Sequence, residues 1–146
     1  MKNFILIAIG VAVLLIGSIY WSKSMQGSRS DIISKEGLHW HPELEIYVNG
    51  EKHEIPANIG IGGRYSAQPM GMSAIHTHED LPIIHLEFSG LVRESDIRLG
   101  KFFEVWGKSF REFGPNVSMT VTGVENTEFE NYIMQDGDKI VLRYSN

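Results

Sequence analysis

The sequence predicts an α+β protein in which an N-terminal transmembrane helix precedes one small mixed-sheet domain, β-grasp-like and with an inserted histidine hairpin. Three patterns predict this: an uncharged apolar run near the N-terminus, several segments in which apolar and polar residues alternate, and one segment with apolar residues at helical spacing. A small β-sandwich is the alternative fold. The predicted boundaries are 1–24 for the anchor, 25–36 for a polar tether and 37–146 for the histidine-rich domain.

The apolar run at residues 4–21 contains no charged residue. Its length just reaches what a helix needs to cross the ~30 Å hydrocarbon core of a bilayer. Tyr20 and Trp21 stand where interfacial aromatic side chains are common, and no clear cleavage site of small residues follows. We therefore expect an uncleaved signal anchor that crosses the cell membrane once, with the C-terminal domain outside the cytoplasm.

Composition limits the classes of function. The 146 residues carry a net charge of −5 and no basic patch with interleaved aromatic residues, so nucleic acid is not an expected partner. The chain has no cysteine, which excludes disulfide bonds, thiolate-bound zinc and a cysteine nucleophile. Imidazole, carboxylate and thioether groups remain as possible metal ligands.

The domain begins with a pair of histidines and a hairpin. His39 and His41 are two positions apart, so an extended backbone turns both side chains to one side. Residues 43–48 then alternate between polar and apolar, which predicts a half-buried strand. The dipeptide Asn49-Gly50 is a strong hairpin signal, and it predicts a return strand at residues 52–55.

The stretch 75–87 holds three of the six histidines of the chain. If residues 79–82 form the loop of a hairpin, His76 lies directly opposite His85. Because side chains alternate along a strand, one face then carries four possible ligands, namely His76, His78, His85 and Glu87. Directly opposed residues have Cβ atoms ~5 Å apart, close enough for two imidazoles to share one metal ion.

One helix is predicted in the second half of the chain. Large apolar residues recur there at positions i, i+3, i+4 and i+7, namely at Leu99, Phe102, Phe103 and Trp106. Ser95 or Asp96 can cap the start of this helix, and Gly107 can end it.

Strands are predicted around this helix. Residues 117–121 alternate between apolar and polar, residues 129–134 are a weaker strand or turn, and residues 140–144 form a final strand. Without the histidine hairpin, the element order of the domain is that of a β-grasp fold.

Two His-x-His pairs and a histidine brought opposite by the hairpin predict a metal site, formed by His39, His41, His76, His78 and His85. Imidazole suits copper, zinc, nickel and iron; copper is the expected ion and zinc the alternative. Met70 and Met72 would favour Cu(I) if they reach the cluster, and Glu87 could ligate or orient an imidazole. The competing interpretation is that these histidines are ordinary strand residues, as we interpret His53 to be.

Several motifs carry a resemblance: His-Trp-His-Pro at 39–42, Asn-Gly and Ile-Pro-Ala-Asn-Ile-Gly within 49–60, His-Thr-His and Ile-His-x-Glu within 76–87, and Phe-Phe-x-Val-Trp-Gly at 102–107. From about Leu38 to Tyr144 the chain resembles a family of small, uncharacterised membrane-anchored prokaryotic proteins. Where this chain has Ser73, that family typically has a histidine, so one possible ligand is missing. The resemblance implies that the chain binds a metal ion, with copper as the first choice, and it does not supply an activity.

Three functions remain as hypotheses. The first is a membrane-anchored extracytoplasmic protein that stores, delivers or senses a metal ion, with a membrane cuproenzyme or another membrane complex as a possible partner. The second is a zinc- or copper-dependent enzyme, which needs an open metal position lined by a pocket; no hydrolase signature supports it. The third is a non-catalytic accessory subunit of a larger membrane complex, in which the histidines are incidental.

Overall fold

The computed structural model describes the backbone of residues 2–27 and 31–146 and the side chains of residues 10–22 and 31–146. The chain divides into two units, Met1–Ile32 and Ile33–Asn146. Helix α1 of the first unit runs from Lys2 to Gly27, beyond the predicted anchor boundary at residue 24 and into the predicted tether. Residues 28–30 of that tether lie outside the described residues.

The structure corrects the predicted membrane anchor. A helix that crosses a bilayer needs about 20 consecutive, predominantly apolar residues. In the part of the chain that the structure describes, no helix combines the length and the apolar character that this requires. The predicted transmembrane helix is therefore wrong, and so is the single-pass membrane localisation with an external C-terminal domain that depended on it.

Ten strands and one further helix lie between residue 31 and the C-terminus. They are β1 Ile32–Ser34, β2 Leu38–Trp40, β3 Glu43–Val48, β4 Glu51–His53, β5 Ile75–His76, β6 His85–Phe88, β7 Val92–Arg93, α2 Leu99–Trp106, β8 Asn116–Val121, β9 Val124–Glu125 and β10 Lys139–Ser145. The strands form three sheets: a pair β1-β7, a five-stranded sheet in the order β4-β3-β10-β8-β9, and a three-stranded sheet in the order β2-β6-β5.

The five-stranded sheet is mixed. Its central strand β10 runs parallel to β3 and antiparallel to β8. Alternate residues of β10 are buried, because the pleat turns every second side chain towards the core. The predicted hairpin between β3 and β4 is confirmed: Asn49 and Gly50 have φ values of 51° and 88°, as the tight turn of such a hairpin requires.

Helix α2 spans the residues that its apolar spacing predicts. Leu99, Phe102 and Phe103 are buried in the core, and Gly107 ends the helix in the left-handed region at φ 81°. The predicted N-cap at Ser95 or Asp96 is wrong, because residues 94–96 form a separate 3-10 turn and Arg98 precedes the helix.

The three-stranded sheet is joined to the five-stranded sheet through the backbone. The Leu44 amide donates to the Pro82 carbonyl at 2.9 Å, and the Ile84 amide donates to the Pro42 carbonyl at 2.8 Å. Ile84 and Leu86 are fully buried in the common core. The apolar side of the predicted histidine hairpin therefore anchors it to the rest of the domain, which fixes the position of its histidine side.

The predicted fold class is wrong. More residues lie in strands than in α-helices, and the strands are divided among three sheets rather than gathered in one sheet behind a transmembrane helix. Two features of the sequence explain the difference. Gly107 stops α2 after about two turns, and the histidine-bearing strands pair with one another and form a sheet of their own.

Candidate metal centre

The three-stranded sheet sets the register of the histidines. His39 of β2 is paired with Glu87 of β6, and His76 of β5 is paired with His85 of β6. The predicted opposition of His76 and His85 across a hairpin is confirmed. Strand β6 lies in the middle of this sheet. Its residues 85 and 87 point to the same face, where one is paired with a residue of β5 and the other with a residue of β2.

The structure brings all five predicted histidines together. His85 is the centre of the group: its ring centroid lies 4.9 Å from that of His41, 4.9 Å from that of His78 and 5.3 Å from that of His76. His39 adjoins His41 at 4.7 Å, and His76 adjoins His78 at 4.8 Å.

The sixth histidine lies elsewhere. The ring of His53 packs 4.5 Å from that of Phe113 and 6.3 Å from that of Trp106. This aromatic environment agrees with the structural interpretation of His53. It also makes His53 a natural control for substitutions in the histidine cluster.

Four side chains of the cluster form a group that could hold a metal ion, namely His39, His41, His85 and Glu87. One ligand atom from each lies within 4.8 Å of the ligand atoms of the other three. Two atoms that are each about 2.1 Å from one ion are at most about 4.2 Å apart. The largest of these separations therefore has to shrink by at least about 0.6 Å for the group to bind an ion.

Two of the four side chains are free to move towards the others. His39 is 65% exposed and Glu87 is 35% exposed, so neither is held tightly by packing. Nε2 of His39 lies 3.1 Å from Oε1 of Glu87. Two ligand atoms at this separation can bind the same ion when the imidazole nitrogen carries no proton.

His76 has one satisfied nitrogen and one orphaned nitrogen. Its side chain is 1% exposed, and Nδ1 lies 3.0 Å from the carbonyl oxygen of Ser73, to which it donates. The Nε2 atom is buried and has no hydrogen-bond partner. Burial lowers the pKa of His76 below its ordinary value, which keeps the ring neutral and leaves a lone pair on Nε2.

His85 repeats this arrangement. Its Nε2 lies 3.1 and 3.2 Å from the two carboxylate oxygens of Asp80 and donates to them. Its Nδ1 is buried without a hydrogen-bond partner, and the nearest carboxylate oxygen, Oε1 of Glu87, is 3.7 Å away. A ring that donates one N–H to a carboxylate or carbonyl and keeps the other nitrogen free is the usual form of a metal-bound histidine.

Two residues support the site without a pattern in the sequence that predicts this role. Asp80 belongs to the predicted hairpin loop, and its position five residues before His85 lets it return to that ring. Asp136 accepts a hydrogen bond of 2.8 Å from the backbone amide of His41 and holds the end of β2 in place. No local pattern indicates this second contact, since it joins residues 95 positions apart.

A cavity of about 730 Å³ borders the cluster. His39, His76 and Glu87 form part of its wall, and Met70 and Met72 lie in the same wall. The two possible thioether ligands therefore line the same cavity as His39 and His76.

No protein-family model, curated protein or solved structure matches the chain. The family resemblance of its motifs therefore remains an expectation. The structure shows a histidine and glutamate group that could hold a metal ion.

Proposed function

We propose that this chain binds a transition-metal ion, copper in the first place, through His39, His41, His85 and Glu87, and that it stores, delivers or senses this ion. The observation that carries the proposal is the orphaned Nδ1 of His85. A buried nitrogen without a partner costs about 1–3 kcal/mol, so folded proteins rarely leave one unless a water molecule or a ligand satisfies it.

The second orphaned nitrogen supports the same proposal. Nε2 of His76 is buried beside the ring of His85, and each ring is held by an acceptor on its opposite nitrogen. Two such rings in contact are hard to explain as ordinary strand residues. We propose that His76 and His78 adjoin the ion as further imidazoles, which keeps the predicted five-histidine set as a hypothesis.

Copper is proposed on the chemistry of the donors. Three imidazoles and one carboxylate are nitrogen and oxygen ligands, and the chain has no cysteine that would favour a structural zinc site. For a given site of this kind, affinity among the divalent first-row metals is highest for Cu²⁺. Zinc is the alternative ion, because it accepts the same ligands in tetrahedral geometry.

Equilibrium dialysis of the full chain with Cu²⁺ near neutral pH, followed by elemental analysis, tests the proposal. We expect about one tightly bound copper per chain and a loss of at least about 100-fold in affinity for the double variant His41→Ala, His85→Ala. The matched control is His53→Ala, which removes an imidazole outside the cluster and should leave copper binding unchanged.

Two results would overturn these statements. Equal copper binding by the double variant and the control would show that the cluster is not the site. In a competition with Zn²⁺ at equal concentration, displacement of copper by zinc would overturn the choice of metal while leaving the site intact.

A further inference from the structure

The cavity beside the cluster has the size of a small-molecule site. Its volume of about 730 Å³ falls within the roughly 300–1,000 Å³ that is usual for such sites. It shares two of its wall residues, His39 and Glu87, with the group that could hold an ion. A molecule inside the cavity would therefore lie next to the proposed metal.

The two residues that belong both to the cavity wall and to the possible metal-binding group are exposed to solvent. His39 and Glu87 are the exposed and half-exposed members of the group, whereas His85 is 11% exposed in its side chain. An ion held by these residues is covered on the side of His85 and open on the side of the cavity. A metal centre with one accessible side can take a ligand that is not part of the protein.

The other residues of the cavity wall indicate the chemical character of the part of the ligand that does not bind the metal. Leu38, Met72, Ala74 and Phe88 form an apolar part of the wall, and most of the other wall residues are polar. Glu36 is also part of the wall and disfavours a second negative charge on the ligand. The apolar part of the wall therefore suits a neutral, apolar body, and the polar part suits an attached group that can bind the metal.

We propose that the cavity binds a small organic molecule with an oxygen or nitrogen donor at one end, which ligates the ion, and a neutral apolar body, which lies against Leu38, Met72 and Phe88. This inference rests on the proposed metal-binding function. It deepens that function, because the centre then recognises an organic ligand in addition to the ion.

Two probes with the same donor group distinguish binding to the metal ion from binding to the apolar part of the cavity. Benzohydroxamic acid and acetohydroxamic acid both bind metals through two oxygen atoms, and only the first carries an apolar ring. Titration of the copper-loaded full chain, followed by the visible absorption of the copper, gives the affinity for each. Copper retained after gel filtration confirms that the probe has not removed the ion.

We expect benzohydroxamic acid to bind at least about tenfold more tightly than acetohydroxamic acid, because burial of its ring is worth about as much as burial of a phenylalanine side chain. The variant Ala74→Leu fills the apolar part of the cavity and should remove this difference. Ala67→Leu makes the same change at an exposed position outside the wall and should preserve it.

Ser89→Phe, at an exposed position of the wall, is a second variant that narrows the cavity if Ala74→Leu does not fold. Equal affinities for the two probes, or an unchanged difference in the variants that fill the cavity, would overturn the ligand proposal while copper binding stands. Absence of copper binding in the natural chain would overturn both proposals, so the two failures are distinct.

Discussion

Replacement of His85 by phenylalanine tests whether the cluster is built for an ion or for stability. The imidazole of His85 contacts three other histidine rings and holds the orphaned Nδ1. His85→Phe keeps an aromatic ring of similar shape in the sheet. It removes both ring nitrogens, one of which is satisfied by Asp80 and one of which has no hydrogen-bond partner.

The two nitrogens have opposite effects on the metal-free protein. Loss of the hydrogen bond to Asp80 costs about 1 kcal/mol at most, because the Asp80 side chain is 49% exposed and water can replace His85. Removal of the orphaned Nδ1 relieves a penalty of about 1–3 kcal/mol. We therefore expect the free energy of unfolding without metal to stay within about 1 kcal/mol of the natural value or to rise.

The metal-bound protein should respond in the opposite way. At a free copper concentration of 100 times Kd, binding stabilises the natural chain by about 2.7 kcal/mol. The variant lacks one of four ligands, so most of this stabilisation should disappear at the same copper concentration. Urea unfolding with copper and with a chelator measures both quantities.

The matched control is His53→Phe, which should keep the full stabilisation by copper. The reasoning is refuted if His85→Phe is strongly destabilised without metal and still gains stability on adding copper. That result would make His85 a structural residue whose free nitrogen has no ligand.

Three further predictions concern single residues. Asp80→Asn should weaken copper binding by about 10–100-fold at unchanged stoichiometry in dialysis, because Asp80 orients the ring of His85. Burial lowers the pKa of His76 below its ordinary 6.5, so in the metal-free protein the unfolded chain binds a proton at a higher pH than the folded chain does. The free energy of unfolding should therefore fall as the pH drops below about 6.5. The variant His76→Phe should remove this part of the pH dependence in urea titrations. Tyr144→Phe should cost about 1–3 kcal/mol in urea unfolding, because it leaves the Phe110 carbonyl without the buried 2.7 Å bond from the tyrosine hydroxyl, and copper affinity should not change.

The histidine face was predictable because it depends on local rules. Alternation along a strand sets which side chains share a face, and the loop between His78 and Ile83 sets which residues are opposed. These rules placed His76 opposite His85, as the register shows. They also put Glu87 on the same face, where it joins the group that could hold an ion.

The supporting contacts were not predictable in the same way. Asp136 reaches His41 from a distant part of the chain, so no spacing in the sequence indicates the contact. The orphaned state of two nitrogens depends on burial by the whole domain. Sequence patterns give the direction of a side chain but not the set of atoms that finally surround it.

The fold class shows the limit of element-by-element prediction. The hairpin at Asn49-Gly50, helix α2 and the final strand are close to their predicted positions. Pairing between distant strands decides how many sheets result, and local periodicity carries no information about it. The N-terminal prediction failed for a different reason: the apolar run barely met the required length, and no described helix is both long enough and apolar enough to cross a membrane.

The central claim is that one ion is bound by imidazoles of His39, His41 and His85. Electron paramagnetic resonance of the copper-loaded chain counts the nitrogen atoms bound to Cu²⁺. We expect coupling to at least three imidazole nitrogens, and to one fewer in His85→Phe. A spectrum without imidazole coupling, or one that His85→Phe leaves unchanged, would contradict it.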